Sequence, residues 1–126
     1  MADAKKILIV DDEQDIRTWL TTFFEDNGYE TDTAVDGEEG FAKARAGGVD
    51  LITLDITMDT QSGVRMFRNL QRDPATENIP VIIITGVASE FKTFIERTKQ
   101  VDNPEGYFEK PVDREALLAK VRELIG

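Results

Sequence analysis

The segment ILIVDD, Ile7 to Asp12, sets four apolar residues directly before two aspartates. Four apolar residues in a row suit a short strand buried on both faces of a parallel sheet. Two further short, nearly continuous apolar runs also end in polar or small residues. Leu51-Ile52-Thr53-Leu54 runs into Asp55, and Val81-Ile82-Ile83-Ile84 runs into Thr85 and Gly86. Two weaker strand signals complete the set. Tyr29 to Ala34 alternates with Glu30 and Asp32, as a half-exposed edge strand does, and Tyr107-Phe108 lies between Gly106 and Glu109.

Helical spacing fills the intervals. Ile16, Trp19, Leu20, Phe23 and Phe24 fall on one face of a helix that Asn27-Gly28 stops. A weaker helix is predicted from about Gly37 to Ala46, with Phe41 and Ala44 inward, Gly40 as an interruption and Gly47-Gly48 as its end. A third, Ser62 to Arg72, turns Met66, Phe67 and Leu70 inward, and Pro74 blocks its continuation. A fourth is expected near Ser89 to Gln100, on Phe91, Phe94, Ile95 and Thr98. Asp113 is placed to cap the last helix, whose apolar face is Leu117, Leu118, Val121, Leu124 and Ile125.

Strand and helix thus alternate in a (βα)5 rhythm. That rhythm implies an α/β, doubly wound, five-stranded parallel sheet with right-handed crossovers. The length of 126 residues suits one domain over 1–126 and is too short for two. With its last helix the chain ends, so the expectation is a single unit with no output domain following.

Composition removes several function classes. The chain has no cysteine and no histidine, so a disulfide framework, a thiolate metal site, a histidine base and a phosphohistidine of its own are all excluded. A net charge of −10 argues against nucleic-acid binding. The longest apolar runs fall far short of the roughly 20 residues that a membrane span needs. Residues before Ile7 carry no apolar signal region, so a cytoplasmic location without membrane attachment is expected.

Ligands of an open parallel sheet bind beyond the carboxyl ends of the strands, where strand order reverses. The residues just past the buried strands are Asp11 and Asp12, Asp55, Thr85 and Gly86, then Lys110 and Pro111. In a 2-1-3-4-5 order, Asp11, Asp12 and Asp55 flank the reversal point. Crowded carboxylates repel unless a cation neutralises them. An all-oxygen set favours a hard ion, Mg²⁺ before Ca²⁺. A free carboxylate beside such a metal and the Lys110 ammonium is equipped for phosphoryl transfer, with the carboxylate attacking phosphorus and Thr85 donating a hydrogen bond.

The ordered motifs ILIVDDE (Ile7–Glu13), LITLDITM (Leu51–Met58), VIIITG (Val81–Gly86) and YFEKP (Tyr107–Pro111) resemble those of a response-regulator receiver domain of two-component signalling, of the stand-alone type. Each motif alone is weak; in this order, each at the end of its own strand, they are specific. The resemblance covers nearly the whole chain and implies a flavodoxin-like fold. It implies Asp55 as phosphoacceptor, Asp12 as a direct Mg²⁺ ligand, Asp11 as a ligand mostly through water, and the Thr57 carbonyl as a further one. Thr85 and Lys110 would contact the phosphoryl group, and Tyr107 would turn inward on activation. A cis Lys110–Pro111 bond is also implied. Thr57 and Val87 would flank the path of attack and set the rate of hydrolysis. The phosphoryl donor would be a histidine kinase or a histidine phosphotransfer protein, and a downstream protein would read the switched face formed by the fourth helix, the fifth strand and the last helix. The chain would act as a signalling switch that assists its own aspartyl phosphorylation and dephosphorylation, and not as an enzyme.

The sequence departs from the family at three places. Asp59 stands where proline is usual, Gly86 stands where alanine is usual, and the span from Thr85 to Lys110 is longer, with Asp102-Asn103-Pro104-Glu105 inside it. Plainer readings exist for each residue: Asp11 and Asp12 as helix caps, Asp55 as a turn residue, Thr85 as a helix start, Lys110 as a solvated turn lysine, Tyr107 as packing. Three rival functions exist too. A phosphatase of the haloacid dehalogenase type wants a second aspartate where Thr57 stands. A flavodoxin-like electron carrier wants a hydroxyl-rich phosphate loop where Asp11 and Asp12 stand. A receiver turned constitutive binding module would not need the intact set of site residues.

Overall fold

The computed structural model describes residues 4–56, 62–86 and 104–126. The elements, in order, are β1 (Lys6–Val10), α1 (Gln14–Asp26), β2 (Glu30–Ala34), α2 (Gly37–Arg45), β3 (Leu51–Asp55), α3 (Ser62–Arg72), β4 (Val81–Thr85), β5 (Gly106–Glu109) and α4 (Arg114–Ile125). The strands form one parallel sheet in the order β2-β1-β3-β4-β5. The helix expected near 89–100 lies outside the described residues, as do Thr57, Asp59 and Val87.

Because side chains alternate along a strand, each apolar run feeds two cores. Leu8, Val10, Ile52, Leu54, Val81 and Ile83 point to the face covered by α2 and α3, where Ala44, Met66, Phe67 and Leu70 meet them. Ile7, Ile9, Leu51, Ile82 and Ile84 point to the other face, against Leu20 and Phe24 of α1 and Leu117 and Val121 of α4. That double burial is why β1, β3 and β4 read as continuous apolar runs and β2, at the edge, does not.

Local chemistry sets the helix ends. Gly28 adopts φ 93°, its N–H reaches Glu25 O, and the Tyr29 N–H reaches Phe24 O, which closes α1 with a glycine turn. Asp36 caps α2 by accepting from the Glu39 N–H at 2.8 Å, and Asp113 caps α4 by accepting from the Ala116 N–H at 3.2 Å. The cap position of α1 is Glu13, whose side chain makes no capping bond. Neither Asp11 nor Asp12 occupies the cap position itself.

Gly40 does not interrupt α2. It is buried where the helix crosses the sheet, and a Cβ there would lie 2.9 Å from both Met66 Sδ and Val10 Cγ2. The glycine permits close packing of α2 on α3 and β1.

Candidate functional site at the carboxyl ends of β1, β3 and β4

Sheet register brings the site together. Val10 pairs with Leu54, so Asp11 and Asp55, one step further on, fall side by side at the ends of neighbouring strands. Thr85 ends β4 opposite Glu109, and Lys110 follows directly. The Lys110 N–H donates to Thr85 O at 2.7 Å, so the backbones that carry these two groups are bonded to each other.

Asp11 and Asp55 are almost wholly buried, at 2% and 1% exposure, although both are carboxylates. Lys110 Nζ sits between them, 3.1 Å from Asp11 Oδ2 and 3.4 Å from Asp55 Oδ2. Its third contact is Glu13 Oε1 at 3.4 Å. Three N–H donors thus face three carboxylates. Asp11 is held further by the Glu13 N–H, which donates to Oδ1 at 2.9 Å, and Arg17 Nη1 donates to the Asp11 carbonyl at 2.8 Å. The Lys110–Pro111 bond is cis.

The electrostatics follow from this crowding. Burial raises the Asp11 carboxyl to about 6, with the Asp55 charge adding to the rise; the Glu13 N–H and Lys110 offset only part of it. Burial alone would lower Lys110, but Asp55 and Asp11 outweigh it and hold the ammonium above its ordinary value.

One oxygen from each of Asp11, Asp12, Glu13 and Asp55 lies within 4.8 Å of the others. With only hard oxygen donors, one ammonium and a destabilised carboxylate, the set fits a divalent hard cation. Asp12 is exposed at the rim, where such an ion would enter.

Tyr107 is half-buried against the α2–α3 side of the core, with its hydroxyl 3.3 Å from Glu109 Oε1. Burial, then the Glu109 charge, push its phenol above the ordinary value.

Three contributors were not foreseen. Glu13 adds a fourth carboxylate; it directly follows the aspartate pair, which was the available signal. Arg17 pins the β1–α1 turn. Gly63 has the tightest role: a Cβ there would clash with the Asp55 carbonyl oxygen and lie 2.9 Å from Ile56 Cα. The first turn of α3 rests directly on the backbone of Asp55, and a glycine near a helix start carries no mark of that contact in sequence.

The sequence profile of the response regulator receiver domain matches residues 7–122. The chain belongs to the response regulator receiver domain family. Receiver domains serve phosphorylation-dependent signalling in two-component systems, and this membership sets aside the phosphatase and electron-carrier readings.

Among curated relatives, the receiver domain is 32% identical over 120 residues to the response regulator ArlR of Staphylococcus saprophyticus, covering 95% of this chain and 52% of ArlR. It is 35% identical over 120 residues to the CAI-1 autoinducer sensor kinase/phosphatase CqsS of Vibrio cholerae, covering 93% of this chain and 17% of CqsS. The chain therefore spans about half of one relative and a small part of the other. Among solved structures, the chemotaxis protein CheY4 of Vibrio cholerae superposes with a TM-score of 0.82 at 28% identity, over 97% of this chain and 99% of CheY4. A CheY-like receiver domain protein of Methanospirillum hungatei gives a TM-score of 0.82 at 30% identity, over 96% of this chain and 93% of that one. No helix among the described residues is long and apolar enough to cross a membrane.

Proposed function

We propose that this receiver domain accepts a phosphoryl group on Asp55 from the phosphohistidine of a partner kinase or phosphotransfer protein. The observation that carries the reading is the buried Asp11–Lys110–Asp55 bridge at the ends of three different strands. Two buried acids spanned by one lysine make a poor structural motif, since hydrophobic replacements of equal volume are often as stable. The arrangement suits a site whose charge is meant to change.

In the proposed reaction an Asp55 carboxylate oxygen attacks phosphorus. The new O–P bond forms as the P–N bond to the partner's imidazole breaks, and the bonding pair stays on the ring nitrogen. Lys110 then exchanges the Asp55 oxygen for a phosphoryl oxygen, and the Thr85 hydroxyl donates to another. Asp11, Asp12 and Asp55 would hold Mg²⁺, with the Thr57 carbonyl as a further ligand by family likeness; when bound, the ion neutralises charge on the phosphoryl oxygens. Hydrolysis of the acyl phosphate resets the site, at a rate tuned by Thr57 and Val87.

Charge-assisted bonds to Lys110 and Thr85 contribute about 1.5–3 kcal/mol each. A swing from 1:99 to 99:1 takes about 5.5 kcal/mol. The two bonds are therefore of the right size to drive a switch, read out by a downstream protein at the side of β5 and α4, with Tyr107 moving inward. The deciding experiment is incubation with acetyl phosphate, with and without Mg²⁺, followed by the intact mass of the protein. One Mg²⁺-dependent phosphoryl group, lost in Asp55→Asn, is expected. Retention in the variant would sink the assignment of Asp55.

A further inference from the structure

The chain carries a net charge of −10, yet α3 carries three arginines and no acid. Arg65, Asn69 and Arg72 stand at i, i+4 and i+7, all exposed, and so form one stripe. Among the described residues, neither Arg65 nor Arg72 has a carboxylate partner. Beside this stripe, between α2 and α3, lie two adjoining hollows of about 390 and 550 Å³. Phe41 and Asn69 line both, and Phe41 is half-buried, so part of its ring is exposed in the groove. Arg45 lies 5.8 Å from the Phe41 ring and is neutralised by Asp73 at 2.8 Å. Asp36 and Glu38 line the α2 side of the hollow that Arg65 lines from α3, so the positive charge of the groove lies on its α3 wall, at Arg65 and Arg72.

We propose that the α2–α3 groove is a docking site for an acidic amphipathic helix of a partner protein. Arg65 and Arg72 are two helical turns apart, about 10.5 Å along the axis. Carboxylates at i and i+7 of a helix laid along α3 repeat at the same distance. Apolar side chains at i+3 and i+4 of that helix then fall onto Phe41. A second copy of the chain is a poorer occupant, because it sets a whole molecule of −10 against another, whereas a helix laid along α3 brings its carboxylates only to Arg65 and Arg72.

The test uses the full chain, ¹⁵N-labelled, titrated at low salt with a synthetic helical peptide carrying Glu at i and i+7 and Leu at i+3 and i+4. A matched peptide with Lys in place of Glu is the control. Expected are amide shifts over 37–45 and 62–72 with the Glu peptide alone. Binding should weaken about tenfold in the Arg65→Glu/Arg72→Glu variant. It should recover in Arg65→Lys/Arg72→Lys and fall as added salt shortens the screening length. No binding of the Glu peptide, equal binding of the Lys peptide, shifts on another face, or unchanged binding in the charge-reversed variant would each overturn the proposal. So would groove shifts that depend on protein concentration alone, since a second copy would then be the occupant.

Discussion

Asp11 is held at an uncomfortable charge. Its carboxyl titrates near 6 in the folded protein against an ordinary 3.8. A carboxyl raised on folding stabilises the fold most when protonated, and that contribution is lost as pH rises through the folded value. Metal-free protein should therefore lose stability between about pH 4 and pH 7, by about 1–3 kcal/mol. Urea midpoints in EDTA across that range should show the fall, and Asp11→Asn should flatten it. Mg²⁺ should raise the midpoint more at pH 7.5 than at pH 5, because the ion competes with the proton. Thr53 offers a second prediction from a single side chain. It is 1% exposed in β3, and its hydroxyl has no partner among the described residues. Thr53→Val keeps the shape and removes the stranded hydroxyl, so it should stabilise by about 1 kcal/mol in equilibrium denaturation.

Elements differ in how much of their position they announce. β1, β3, β4 and α3 were legible because burial on both sheet faces leaves uninterrupted apolar runs, and because Met66, Phe67 and Leu70 repeat at helical spacing. The order of motifs at strand ends was enough to bring Asp11, Asp55, Thr85 and Lys110 to one rim. The roles of Gly40 and Gly63 were not legible, because a glycine that permits close packing looks the same in sequence as one that ends a helix. The turn acids divided in the same way. Asp113 occupies the cap position that its place in the sequence predicts, whereas the cap position of α1 falls to Glu13, one residue past the aspartate pair. Gly63→Ala should force α3 off β3 and cost about 1–3 kcal/mol. It should also slow phosphorylation by acetyl phosphate, measured by intact mass. Gly86→Ala is the contrast: among the described residues nothing lies within 4 Å of a Cβ built there, and its midpoint should be close to that of the parent.

At the scale of the whole molecule, one sheet separates two cores that, among the described residues, share no side chains. Ile7 is buried on the α1–α4 face and Ile83 on the α2–α3 face, with β3 between their strands. Ile7→Val and Ile83→Val should each cost about 0.5–1.5 kcal/mol. Their effects should add to within about 0.5 kcal/mol in the double variant. A larger coupling energy would show that the sheet transmits packing strain from one core to the other. The acidic surface is uneven on the same scale: the net charge of −10 is spread over the chain, while α3 carries an arginine stripe beside the half-buried Phe41.

The missing side chain at Gly63 has one more consequence. Backbone rests on backbone there, so no flexible group cushions the contact between the acceptor residue and the helix that carries the stripe. A shift of the Asp55 carbonyl by a few tenths of an ångström must then be taken up by α3 as a body or by the strand end itself. Thermodynamic reciprocity runs the lever backwards: whatever binds α3 more tightly in one state of Asp55 than in the other favours that state by the same free energy. Position 63 is thus a fulcrum, and its emptiness is what makes the lever stiff.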